Sequence, residues 1–141
     1  MLFQVPKIPA EMHVTHLNAR VNEQRKKIIQ STTSKIEFLQ FNKQLAKEAK
    51  QRKKNNNKVY VIDFKGDVQA SAVSALREEI TLILSTAKAG QDRVVIRLES
   101  PGGMVHGYGL AAAQLVRLRE AGFHVTIVVD KVAASGGYMM A

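Results

Sequence analysis

The 141-residue sequence predicts an α/β domain built on a parallel sheet and preceded by a basic helical arm. Three observations predict it. After Lys58, short β-branched runs alternate with helical stretches in the order strand, helix, strand, helix, strand, the pattern of right-handed βα units. Before it, residues 11–54 contain no Pro or Gly and are rich in Lys, Gln, Glu and Ala, which favours helix. The charge divides at the same place: residues 1–58 carry 13 Lys/Arg against 4 Asp/Glu, while residues 59–141 carry 8 of each. The whole excess of +9 therefore belongs to the arm (1–58), and the α/β part (59–141) is neutral.

Within the arm, Val14, Leu17, Val21 and Ile28 fall on a heptad seam that Gln24 and Ser31 interrupt. The expectation is a long solvated helix or two helical pieces, followed by a linker at Gln51-Arg52-Lys53-Lys54-Asn55-Asn56-Asn57-Lys58, where three asparagines resist helix. No apolar run reaches the roughly 18–20 residues that cross a bilayer. Met1-Leu2-Phe3-Gln4-Val5-Pro6-Lys7 lacks the apolar stretch of a leader. There is no cysteine, so the fold rests on packing without disulfides.

In the second part, Val59–Phe64 reads as a strand ended by Gly66. A helix over about 71–88 follows, because Val73, Leu76, Ile80, Ile83 and Ala87 step by three and four and form one stripe; Ser71 and Ser74 read as capping residues. Gly90 closes it. Residues 93–98 form the second strand, residues 106–120 a small-residue helix stopped by Gly122, and residues 123–129 the third strand. A last helix begins near Ser135. Its six or so residues and the open edges of a three-stranded sheet suggest a domain truncated at the C-terminus, the first part of a larger one.

Two glycine pairs carry the chemistry. Ser100-Pro101-Gly102-Gly103 follows the second strand, and Ala133-Ala134-Ser135-Gly136-Gly137-Tyr138 follows the third. Functional loops of parallel sheets lie at the carboxyl ends of strands. Glycines there leave backbone N–H groups unshielded, so a carbonyl oxygen can approach them. Beside a serine they describe a nucleophile and an oxyanion hole. The plainer reading keeps Ser135 as an N-cap and Pro101-Gly102 as a tight turn. A serine nucleophile needs a base. Lys131, His106 and His124 are the candidates within the chain, and the remaining one is a base beyond Ala141 or on another chain.

The runs Arg97–Gly109 and Asp130–Ala141 resemble the bacterial SppA/SohB serine peptidases, the signal peptide peptidase family, and its SohB branch in particular. The resemblance covers residues 59–141 well and the arm more loosely. It implies a ClpP/crotonase-like fold and a serine–lysine dyad acting on peptide bonds through an acyl-enzyme. Ser135 matches the nucleophile, Gly136 one oxyanion amide, and the Gly102-Gly103 loop the other side of the site, with Gly103 favoured as donor. The family's lysine lies downstream of the serine, so the general base is expected beyond Ala141 and the chain alone is expected to be inactive. The resemblance implies no cofactor and no metal. It implies peptide or membrane-protein substrates, association with the bacterial inner membrane, and self-assembly into a homo-oligomer. Two other readings stay open. One is a non-catalytic module whose residues 20–58 contact an anionic membrane surface, with nucleic acid less favoured because the arm has only Phe38 and Phe41 as aromatics. The other is a crotonase-type acyl-CoA enzyme.

Overall fold

The structure, a computed structural model, describes residues 12–141. The reading of Met1–Lys7 and the first residues of the arm lie outside the described residues. Two compact units are formed, Met12–Asn56 and Asn57–Ala141.

The first unit is a pair of helices, α1 (Leu17–Thr32) and α2 (Lys35–Asn55). The chain breaks between them without Gly or Pro because Ser34 caps the second helix. Its hydroxyl accepts the Glu37 N–H, and the Glu37 carboxylate accepts the Ser34 backbone N–H in return. These bonds, the Ser34 backbone N–H first, hold the Glu37 carboxyl below its ordinary range. The helices meet through Phe38, Phe41 and the buried Leu45, with the Arg25 guanidinium 5.4 Å from the Phe41 ring centre. The heptad seam does not make this contact. Leu17, Val21 and Ile28 are exposed, since two phenylalanines offer more apolar area than an interrupted aliphatic stripe. Nor do residues 51–55 form a linker. Helix α2 runs through them to a left-handed Asn56 (φ 44°), and Arg52, Lys53 and Lys54 in its last turn offset the carbonyl end of the helix.

The second unit contains β1 (Val59–Lys65), α3 (Val73–Thr86), β2 (Arg93–Ser100), α4 (Val105–Glu120), β3 (His124–Ala133) and a 3-10 helix (Ser135–Met140). The sheet has the order β1-β2-β3 with both pairs parallel. Strand β2 alternates cleanly. Val94, Ile96, Leu98 and Ser100 are fully buried, while Arg97 faces out and pairs with Asp63 of β1. Ile62 and Phe64 of β1 join the buried face. Helix α3 meets it with Leu76, Ile80 and Ile83, and α4 with Tyr108, Ala111, Leu115 and Leu118. Each fully buried aliphatic side chain contributes about 1.5–3 kcal/mol.

A buried carboxylate ties the strand starts together. Asp92 accepts the backbone N–H of Lys58 (2.8 Å) and of Lys88 (2.9 Å). The Lys88 N–H leads in lowering its carboxyl pKa, with the Lys58 bond and the two lysine charges adding to it.

Three local expectations give way to the structure. Neither Ser71 nor Ser74 caps α3. Ala72 holds the cap position, because the Asp67 carboxylate takes both the hydroxyl and the backbone N–H of Ser71. Strand β3 continues past Val129 to Ala133. Val129 lies opposite Leu98 and Ala133 opposite Ser100, so Asp130, Lys131 and Val132 bulge where β2 has only Glu99. The last element is a six-residue 3-10 helix rather than an α-helix, as two glycines in its first turn disfavour the longer form.

Candidate functional site

Three loops that follow the three strands meet at one end of the sheet. Gly66 N–H donates to the Glu99 carbonyl, and Ala134 N–H to the Ser100 carbonyl. The second bond continues the β2–β3 pairing beyond Ala133. It carries Ser135 to the Pro101-Gly102 bend, and the two glycine motifs become neighbours in space.

The fit is tight. A Cβ on Gly102 would lie 2.6 Å from the Ser135 Cβ and 2.7 Å from the Ala134 carbonyl oxygen. Gly102 also has φ +90°, a conformation open chiefly to glycine. A Cβ on Gly103 would collide with the Val68 carbonyl oxygen, so Gly103 packs on the β1–α3 loop. Met104 N–H fastens that loop by donating to the same oxygen at 2.9 Å.

Ser135 is exposed and has φ +48°. A residue with a side chain loses about 1–2 kcal/mol in that region. Its hydroxyl makes no hydrogen bond among the described residues. Ser135 is therefore not an N-cap; Ala134 precedes the 3-10 helix and Ser135 is its first residue. Gly137 N–H donates to the Ala134 carbonyl at 2.8 Å. The Gly136 amide comes before that first internal bond, where helix amides have no partner in their own helix. Gly103 N–H likewise donates to nothing among the described residues. Gly102 N–H differs, since it donates to the Ser100 hydroxyl at 3.1 Å.

None of the candidate bases within the chain is hydrogen-bonded to the Ser135 hydroxyl among the described residues. Lys131 projects from the β3 bulge, and its ammonium lies 3.1 and 3.2 Å from the two Glu99 carboxylate oxygens. His106 is exposed in the first turn of α4, and His124 opens β3 at the far end of the strand. An open groove between α3 and α4, lined by Val73, Ser74, Arg77, Thr81, Leu110 and Gln114, does not include Ser135.

Sequence reasoning missed two residues here. Ser100 and Tyr108 are both fully buried and hydrogen-bonded to each other at 2.6 Å. The available signal was a tyrosine within a helix of small residues, three positions past the start of α4. Its hydroxyl had to find a partner once the ring was buried.

The sequence profile described as peptidase family S49 N-terminal matches residues 4–115. The chain belongs to that family. Within family S49 it is similar to a probable protease SohB from Buchnera aphidicola subsp. Schlechtendalia chinensis, 47% identical over 93% of this chain and 48% of that protein. It is also similar to a probable protease SohB from Haemophilus influenzae, 64% identical over 59% of this chain and 23% of that protein. A third, from Buchnera aphidicola subsp. Acyrthosiphon pisum, is 60% identical over 63% of this chain and 26% of that protein. The chain thus spans about half the length of the first relative and about a quarter of the other two. No solved structure matches it. Among the described residues no helix is long and apolar enough to cross a membrane.

Proposed function

We propose that the chain carries the nucleophile and oxyanion wall of a serine endopeptidase. The observation that carries this reading is Ser135, exposed and held at φ +48° against the Cα of Gly102 with an unengaged hydroxyl. Strain of this kind persists only where surrounding structure imposes it, and it concentrates at reactive groups. Membership of family S49 adds to it.

In the mechanism, the Ser135 hydroxyl adds to a peptide carbonyl carbon while a neutral lysine takes its proton. The carbonyl oxygen becomes an oxyanion facing the Gly136 and Gly103 amides. Collapse expels the amine, which takes the proton from the lysine, and leaves an acyl ester on Ser135. Water then hydrolyses the ester by the same path. Gly102 contributes room, since its own N–H is donated inward to Ser100. Each oxyanion donor is worth roughly 3–4 kcal/mol of barrier. In this reading the lysine is the one the family resemblance places downstream of the serine, and Lys131 is paired with Glu99. Burial lowers the pKa of such a lysine toward neutrality.

The substrates in this reading are peptides or membrane proteins met at the bacterial inner membrane by a self-assembled ring with a ClpP/crotonase-like core. The exposed Arg52, Lys53 and Lys54 at the end of α2 support a role for the arm against anionic lipid. Loss of liposome binding at high salt, by a protein that binds at low salt, tests that role.

A fluorophosphonate probe applied to the full-length gene product tests the central reading. Labelling at Ser135 that Ser135→Ala abolishes is the expected result. A folded, full-length protein that takes up no probe refutes it.

A further inference from the structure

We propose that Ser100 and Tyr108 are positioning residues for Ser135, a buried relay that fixes both walls of the site. The inference rests on the peptidase reading above.

The relay runs in one direction. Gly102 N–H donates to the Ser100 hydroxyl at 3.1 Å, Ser100 O–H donates to the Tyr108 oxygen at 2.6 Å, and Tyr108 O–H donates to the Asp67 carbonyl at 2.8 Å. Each hydroxyl both accepts and donates, so its neighbours orient its proton. Chains of this kind polarise one another in a low-dielectric interior. They also hold the atoms at both ends. One end is the Gly102 peptide, whose Cα lies against the Ser135 Cβ; the other is the backbone of the β1–α3 loop, on which Gly103 is packed.

The same two side chains support the opposite wall. A Cβ on Gly136 would strike the Tyr108 ring at 2.6 Å, and one on Gly137 would strike the Ser100 Cβ at 2.8 Å. The diglycine after Ser135 thus rests flat on Ser100 and Tyr108. A further contact closes the ring edge-on: Phe64 meets the Tyr108 ring with centroids 6.4 Å apart at 73°. Neither Ser100 nor Tyr108 reaches solvent, and therefore neither can touch a substrate. Their effect on chemistry is exerted through the placement of Gly102, Gly136 and Ser135. A displacement of an ångström or less at the nucleophile is enough to change rate substantially.

The experiment uses the full-length gene product and measures fluorophosphonate labelling of Ser135 as a function of probe concentration. This separates the maximal labelling rate from the half-saturating concentration. Tyr108→Phe and Ser100→Ala each break the relay while leaving the glycine contacts unclashed. Ile80→Val, in the core face of α3, serves as a control for general loosening, with melting temperature recorded for every variant. Both relay variants are expected to lower the maximal rate at least tenfold with half-saturation unchanged. The double variant should be no worse than the more damaging single one, because one broken link disables the relay. The pH midpoint of labelling should stay at the wild-type value, as no proton is exchanged with the base. Relay variants that label at the wild-type maximal rate overturn the inference while leaving the peptidase reading intact. So does an equal loss in Ile80→Val at matched melting temperature. A wild-type protein that never labels removes the peptidase reading itself, and the relay's catalytic role with it.

Discussion

Replacing Ser135 by glycine and, separately, by alanine separates backbone strain from loss of the hydroxyl. Ser135 holds φ +48°, where a residue with a Cβ loses about 1–2 kcal/mol. Alanine keeps that cost, and glycine relieves it. Glycine also gains freedom in the unfolded chain, which offsets about 0.4–1 kcal/mol. The side chain is exposed and its hydroxyl is unbonded among the described residues, so deleting it removes little else. The balance favours glycine over alanine by roughly 0.5–1 kcal/mol. With a urea m-value of about 2 kcal/mol/M, the unfolding midpoint of Ser135→Gly should exceed that of Ser135→Ala by roughly 0.3–0.5 M. Alanine should match the wild type, and both variants should lose probe labelling. A glycine variant less stable than the alanine variant would show that the turn stores no strain, and the structural case for Ser135 as a nucleophile would lose its main support.

Gly136→Ala keeps the backbone amide but drives a methyl to 2.6 Å from the buried Tyr108 ring; it should cost about 1–3 kcal/mol and suppress labelling, measured by denaturation and probe uptake together. Asp92→Ala leaves the Lys58 N–H at the start of β1 and the Lys88 N–H just past α3 without their acceptor and should destabilise by roughly 2–4 kcal/mol. Because the folded-state carboxyl of Asp92 is depressed, its stabilisation is complete above the ordinary aspartate pKa and is lost as pH falls through the lower folded value. The stability difference between wild type and Asp92→Asn should therefore shrink in that acid window, and a difference unchanged there would contradict the assignment. Ser34→Ala removes the acceptor of the α2 capping box; about 1 kcal/mol of arm stability should disappear, visible as earlier helix loss in circular dichroism.

Different parts of the molecule were legible for different physical reasons. Helix α3 could be read because its stripe from Leu76 to Ile83 repeats at helical spacing and that face alone is buried. Strand β2 could be read because it is covered on one side, so Val94, Ile96 and Leu98 alternate with Arg93 and Arg97. The proximity of the two glycine motifs follows from strands that run parallel and adjacent, which places both following loops at one end. The break between α1 and α2 was available in Ser34-Lys35-Ile36-Glu37 but is masked by a composition that favours helix throughout. The β3 extension was not available, since Asp130 and Lys131 look like loop residues and only the pairing of Ala133 with Ser100 holds them in strand. Nor was the positive φ of Ser135, a conformation that pattern reasoning assigns to glycine. The Ser100–Tyr108 bond joins a residue that looks like part of a turn to one on a helix, and its existence depends on packing that no local spacing encodes.

The crowding around Ser100 and Tyr108 also restricts how descendants of this sequence could diverge. Gly66 abuts both hydroxyl oxygens, Gly137 abuts Ser100, and Gly136 abuts the Tyr108 ring. A codon change that enlarges any one of these glycines collides with an immovable neighbour, and one that enlarges Ser100 collides with two of them. Sequence drift here must proceed by concerted replacement of residues far apart in the gene, while exposed lysines of α2 such as Lys43 and Lys47 can change singly.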